Sequence, residues 1–291
     1  LAYLKYLFGT GEIIVPTLTW VSDIASIIQN GFKPIFVDIS LKNLSMNSSE
    51  ISKKISKKTK AIFITHALGF NALNKELLKI LKEKKILLIE DVCESHGAKY
   101  NKRKLGSYGF LSNFSFYFAH HISTIEGGMI STNNYSAYQY IRMFRSHGLL
   151  RESNDSKFRN NILKKNKLLN PEFIFTFPAY NVRNTELGAV IGLSQLKKIN
   201  YNIKKRNENF LYFLKNLDKK IFMTNFDLNG ISNYGLILIL NPDYKSKVNK
   251  LMNLMNKNSI EFRRGTAGGG NQLRQPYLKN KYKKNYFKKF K

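Results

Sequence analysis

Between residues 12 and 91, short apolar runs alternate with amphipathic stretches, and few folds accommodate that alternation. EIIVP, KPIFVDIS, KAIFITHAL and ILLIED read as strands, apolar enough to be covered on both faces. TWVSDIASIIQNG, SSEISKKISKKT and NKELLKILKEKK lie between them and carry the three-to-four-residue apolar spacing of helices. Pro16 and Gly31 punctuate the boundaries. Strands that return through a helix pair in parallel, so the expected fold is α/β: a mostly parallel sheet between two layers of helices. FLSNFSFYF and GGMISTN add two strands, and SAYQYIRMFRSHG adds a helix closed by Gly148. Residues 149–180 are polar and read as irregular, and one long helix is expected over roughly 185–216. YGLILIL and SKVNKLMNLMNKNSIEF read as a strand and a helix of a smaller domain. The expected division is a large domain over 1–200, its N-terminal part missing, and a partial C-terminal α/β domain over 201–291. The chain opens at Leu1 within a helix-like stretch and stops in YLKNKYKKNYFKKFK, so it reads as a fragment lacking both ends.

Composition excludes several function classes. No apolar run approaches the length of about 18 residues that a membrane span requires. The single cysteine, Cys93, rules out a disulfide framework or a four-cysteine iron–sulfur cluster supplied by this chain, and suits a reducing cytoplasm. The formal charge is +29, but the lysines are spread through helix-like segments and no nucleic-acid motif accompanies them. The expectation is no nucleic-acid or membrane partner, and a positive field that favours a small anionic substrate.

The stretch FYFAHHISTIEGGMIST sets His120 beside His121 at the end of an aromatic strand. A histidine pair can bind metal, transfer protons or pack. A metal needs further ligands at suitable spacing, and His66, His96 and His147 do not supply it, so no metal is expected. Ligands of doubly wound sheets bind at the carboxyl ends of the strands. There the sequence places Thr17, Thr19 and Trp20, then Thr65 and His66, then Glu90, Asp91 and Glu94, then Ser115 and His120. An acid, a hydroxyl, an imidazole and a flat aromatic together suit a planar, phosphorylated, nitrogen-containing cofactor.

The order and spacing of PTLTW, LLIEDVCESHGA, FSFYFAHH…EGG and YNVRNTELGAVIGLSQL resemble the DegT/StrS sugar aminotransferases, vitamin B6 enzymes of the aspartate aminotransferase fold. The resemblance implies that Trp20 stacks on the pyridine ring, Asp91 pairs with the ring nitrogen, Glu94 lies near the phenolic oxygen and Ser115 binds the phosphate. It implies that Asn181 reaches the phosphate across a homodimer interface, with Arg183 structural. In the family's aminotransferases, the lysine that binds pyridoxal phosphate covalently lies eight residues before the second glycine of Glu-Gly-Gly; here that place is His120. Imidazole cannot hold the cofactor in that way but can act as a base. A His–His pair there resembles one branch of the family: the pyridoxamine-phosphate-dependent 3-dehydratases of nucleotide-linked 4-keto-6-deoxy sugars, those acting on the GDP-mannose derivative in particular. The resemblance implies a role in surface-polysaccharide (lipopolysaccharide, O-antigen) sugar biosynthesis, with glutamate as amino donor. His120 and Asp91 would carry the chemistry. His121, His147, Arg263, Asn271 and Arg274 are the candidates on the substrate side, the last three in the basic, glycine-rich RRGTAGGGNQLRQPY. Two departures stand out: the cysteines of the cluster-bearing relatives and the upstream Gly-Ser-Ser phosphate segment are not in this sequence. An aminotransferase and a non-catalytic relative remain the alternatives.

Overall fold

The structure is a computed structural model and describes residues 1–265, 269–282 and Tyr286. Part of the loop RRGTAGGG and most of the terminal basic run lie outside the described residues.

A six-stranded sheet forms the centre, in the order β2-β1-β3-β4-β7-β8. These are β1 (Glu12–Pro16), β2 (Lys33–Val37), β3 (Thr59–Thr65), β4 (Leu87–Asp91), β7 (Leu111–Ser115) and β8 (Gly128–Ser131). All neighbours pair in parallel except β7 and β8, whose short connection makes them antiparallel. A two-residue hairpin, β5 (Lys99–Tyr100) with β6 (Arg103–Lys104), stands apart.

Period-two alternation sends successive strand residues to opposite faces, and both faces are covered. Ile14, Ile62, Ile64 and Leu88 face one core with Ile51 of α3 (Ser48–Lys54) and Leu77 and Leu81 of α4 (Lys75–Lys84). Ile13, Val15, Phe63 and Ile89 face the other, with Leu4 of α1 (Ala2–Phe8) and Ile24 and Ile27 of α2 (Val21–Gln29). Each fully buried isoleucine contributes about 1.5–3 kcal/mol by leaving water. Side chains that accept backbone amides start the helices: Asn47 for α3, Asn74 for α4 and Asn134 for α5 (Tyr135–Arg145).

Three expectations are corrected. The polar stretch 149–180 contains α6 (Ser156–Lys165), capped by Asp155. None of its residues is buried, so no core-facing stripe marks it. The long helix is two, α7 (Glu186–Leu196) and α8 (Ile199–Asn216). Lys197 and Lys198 keep near-helical angles, but the bond from the Lys198 amide to Gln195 tightens the turn between them. YGLILIL forms no strand; its sheet-like contact is the isolated bridge Phe222–Leu240. An apolar run becomes a strand only where a neighbour completes its ladder.

The later chain is tied to the sheet's carboxyl end. Phe210 and Leu214 of α8 join Leu18, Ala67 and Phe70 in a third core, and Leu278 of α10 (Pro276–Lys281) joins the α1–α2 face. After α9 (Val248–Lys257) the chain returns to β1, where the Gln272 amide donates to the Thr17 carbonyl at 2.8 Å. No described helix is long and apolar enough to cross a membrane.

Candidate active site

The parallel strands deliver their polar termini to one edge. Thr65 of β3 and Asp91 of β4 are register partners, and Trp20 opens α2 directly after β1. Trp20 is 52 % exposed, a flat face left open beside buried acids.

Consecutive acids on β4 part company. Glu90 is fully buried and accepts from the amides of Gly106 (2.9 Å), Tyr108 (2.9 Å) and Gly109 (2.5 Å), from Ser112 Oγ (3.3 Å), and pairs with His66 Nε2 (3.2 Å). Burial alone would raise its carboxyl; the hydrogen bond and charge of His66 with the backbone donors outweigh it and hold the group below its ordinary range. Glu90 is a structural anchor. Asp91 points to the other face, where Oδ1 accepts the Cys93 amide at 2.9 Å and Asn113 Nδ2 at 3.1 Å. These donors hold the carboxylate in one orientation.

Glu94 follows one turn later. Its Oε2 accepts the Leu68 amide at 2.7 Å, and burial pushes its carboxyl up to about 7, against the Leu68 bond and the Arg263 charge and with the charge of Asp91. Arg263 thereby lies near enough to Glu94 for its charge to act on that carboxyl. Leu68 adopts φ 53° to make this turn, and Gly69 at φ 87° follows. A Cβ on Gly69 would meet the Ser232 carbonyl oxygen at 1.8 Å, so only glycine allows the close crossing of backbone there. That crossing, sealed by Ser232 amide to Gly69 carbonyl (2.9 Å) and Tyr234 amide to Leu68 carbonyl (3.1 Å), lays Tyr234 over the histidines.

β7 ends at Ser115, whose Oγ accepts the Tyr117 amide at 3.2 Å, and a turn then delivers His120. The His120 ring is edge-on to Tyr117 and Tyr234 at 5.7 and 5.4 Å and to His96 at 6.3 Å. Its buried Nδ1 has no partner. Burial holds its pKa below the ordinary range, against the Ser115 carbonyl and the charges of Asp91 and Glu126, so the ring is neutral at pH 7 and able to accept a proton. His121 is different: Nε2 meets the Asn233 carbonyl at 3.2 Å and Ser232 Oγ at 3.1 Å, which pins the ring to the 232–233 backbone. Burial and Arg206 lower its pKa to about 4. His96, which sequence reading weighed only as a metal ligand, lies behind both with neither ring nitrogen partnered; burial and the two neighbouring histidines lower it to about 3. Among the described residues no group of three His, Cys, Asp or Glu side chains is set to hold a metal.

The remaining candidates lie apart. His147 is exposed at φ 57°, its amide on the Tyr180 carbonyl at 2.6 Å, and Ser146 bridges to Asn181. His147 and Asn181 therefore share an exposed patch. Asn181 Oδ1 accepts Arg183 Nε at 3.1 Å. Asn271 bridges to Leu18 and caps the turn that carries exposed Arg274, next to the β1 end. Two residues escaped the sequence reading altogether: Tyr234, and Asp23 of α2, whose carboxyl faces Asp91. An acid beside Ile24 and Ile27 on a helix's apolar face is the signal that could have found Asp23.

The chain matches the DegT/DnrJ/EryC1/StrS aminotransferase family over residues 2–288. It belongs to that family. It is 32 % identical over 285 residues to GDP-4-keto-6-deoxy-D-mannose 3-dehydratase of Escherichia coli O55:H7, covering 95 % of this chain and 69 % of that protein. It is 33 % identical over 274 residues to the enzyme of the same name from Yersinia pseudotuberculosis, covering 93 % and 67 %. The solved structure of the E. coli enzyme with bound hydrated PLP superposes with a TM-score of 0.81 at 30 % identity, covering 97 % of this chain and 70 % of that one. The mostly parallel α/β sheet expected from the strand–helix alternation, and the aminotransferase-like fold implied by the resemblance, agree with that structure.

The residues present fit such a cofactor. His120 Nδ1, both His96 nitrogens and Ser95 Oγ are buried without a partner, the His96 and His120 rings lie 6.3 Å apart, and the charge of the oriented Asp91 carboxylate reaches His120. A buried polar atom without a partner costs roughly 1–3 kcal/mol, and a cluster of them marks a place built for a polar guest.

Proposed function

We propose that this chain is a pyridoxamine-phosphate-dependent 3-dehydratase of a GDP-linked 4-keto-6-deoxy sugar, serving surface-polysaccharide biosynthesis. The observation that carries this reading is His120: a neutral imidazole with a free buried nitrogen stands where the family's aminotransferases hold a lysine. Asp91 would take the ring nitrogen, Trp20 the ring face, Glu94 the phenolic oxygen and Ser115 the phosphate. The bound cofactor supplies an amine for the sugar ketone and a sink for electrons. His120 accepts a proton on its free nitrogen, and the resulting imidazolium stands ready to give one to the departing C3 hydroxyl as water. Asp91, held in place by the Cys93 amide and Asn113, would accept the ring N–H. Tyr117, Tyr234 and His96 pack edge-on around the half-buried imidazole and hold its orientation. Glutamate would restore the amine.

The site is completed by a second copy. α7 buries none of its residues although it is largely apolar, and Asn181 and His147 lie on exposed surface. A homodimer through this face would cover the apolar helix and bring Asn181 to the other copy's phosphate pocket.

The test is product mass after incubation with pyridoxamine phosphate and GDP-4-keto-6-deoxy-mannose. Loss of one water, abolished by His120→Asn, is the expected result. Gain of an amino group without loss of water would make the chain an aminotransferase, and an unchanged sugar with cofactor bound would make it a non-catalytic relative.

A further inference from the structure

Asp23 stands on the first turn of α2 with 5 % of its surface exposed. A buried acid is costly unless it is paired or neutral. Thr65 Oγ1 donates to its Oδ2 at 3.0 Å, Thr19 Oγ1 bonds the same oxygen, and the two hydroxyls lie 2.6 Å from one another. The titratable groups that face it are Asp91, in hydrogen-bonding contact, and Cys93 and Tyr277, and none of these is a cation. Two carboxyls touching in a dry site cannot both ionise, so the pair holds one proton.

The surroundings decide where that proton sits. Asp91 Oδ1 receives two N–H donors that favour a carboxylate. Asp23 has two hydroxyls on Oδ2, which favour its carboxylate but are outweighed by burial and the Asp91 charge. Thr65 and Asp91 are register partners on adjacent strands, so this arrangement is set by the sheet itself. We propose that Asp23 is a positioning residue that carries the shared proton and donates it to Asp91, fixing the Asp91 carboxylate as acceptor for the cofactor's ring nitrogen. Burial first, and the Asp91 charge second, push the Asp23 carboxyl well above its ordinary range, in the same direction. The pair then bears a single negative charge, matched to one ring N–H. The inference rests on the cofactor reading of Asp91 and not on the identity of the sugar.

The experiment is infrared spectroscopy of the full chain labelled with 13C-aspartate, without cofactor, at pH 7. A neutral aspartic-acid carbonyl band that shifts with the label is expected, and it should vanish in Asp23→Asn. Affinity for pyridoxamine phosphate is then measured by equilibrium dialysis. Asp23→Asn keeps an N–H donor toward Asp91 and should bind within about threefold of the unaltered chain, whereas Asp23→Leu should lose roughly tenfold, as for one hydrogen bond to a charged group. Absence of a neutral aspartate in the unaltered chain overturns the proposal without any variant, and so does an Asp23→Leu chain that binds as tightly. Because the infrared result needs neither cofactor nor sugar, a chain that shows the neutral aspartate but makes no dehydrated sugar loses the proposed function and keeps the pair.

Discussion

At the strand ends, His96, His120 and His121 hold buried ring nitrogens without a partner, while on α7 Leu187, Val190 and Leu193 lie 78 %, 67 % and 63 % exposed. The first region hides polarity, and the second displays grease. Folding of one chain favours neither, since unpaired buried polar atoms and contiguous exposed apolar faces both cost free energy. The difference teaches what each region lacks. Unsatisfied nitrogens and an oriented carboxylate ask for hydrogen-bonding atoms of a small molecule, whereas a smooth apolar helix asks for another protein surface.

Substitutions can break that contrast. Asp91→Asn should lower pyridoxamine phosphate affinity roughly 10- to 100-fold, the loss of a charge-assisted bond, with little change in the unfolding midpoint; equilibrium dialysis and circular dichroism read both. Leu187→Arg with Val190→Arg should convert a dimer to a monomer by light scattering, while cofactor affinity falls because Asn181 no longer reaches across; an unchanged mass would show that this face is free. A third change sharpens the polar side. His96 has an ordinary pKa of 6.5 in the unfolded chain and about 3 in the folded one, so below pH 6.5 the unfolded state binds a proton that the folded state refuses. Stability is complete above that pH and falls as pH drops toward the folded value. His96→Leu should remove this loss, worth about 2 kcal/mol at pH 5, in urea melts compared at pH 5 and 8. The smallest effect concerns Glu94. Arg263→Ala removes the cation that opposes its upward shift, so the 13C-glutamate titration should move further above about 7.

Much of the fold was legible because its signals are local. The isoleucines of EIIVP and KAIFIT and the glycine stops each act within a few residues, and the strands' shared direction follows from the helices between them. That Trp20, Asp91 and His120 follow or close strands of the sheet was legible for the same reason, since each sits inside a short motif. The pairing of Asp23 with Asp91 was not, because it depends on β1 and β4 flanking β3, a fact of topology that no motif contains. Tyr234 reaches His120 only through the glycine-dependent crossing at Gly69. α6 was invisible because it buries nothing, and YGLILIL misled because apolarity without a ladder partner is not a strand.

Glu90 and Asp91 are neighbours in the chain, yet the pleat of β4 gives them unrelated employment. One letter holds the scaffold shut, and the next is the acid proposed to meet the cofactor. A chain drifting away from its reaction could therefore lose the second acid and still mature and accumulate, whereas loss of the first would remove it from the cell before any substrate was met. In this chain the dipeptide thus sets a substitution that should spare the fold beside one that should undo it.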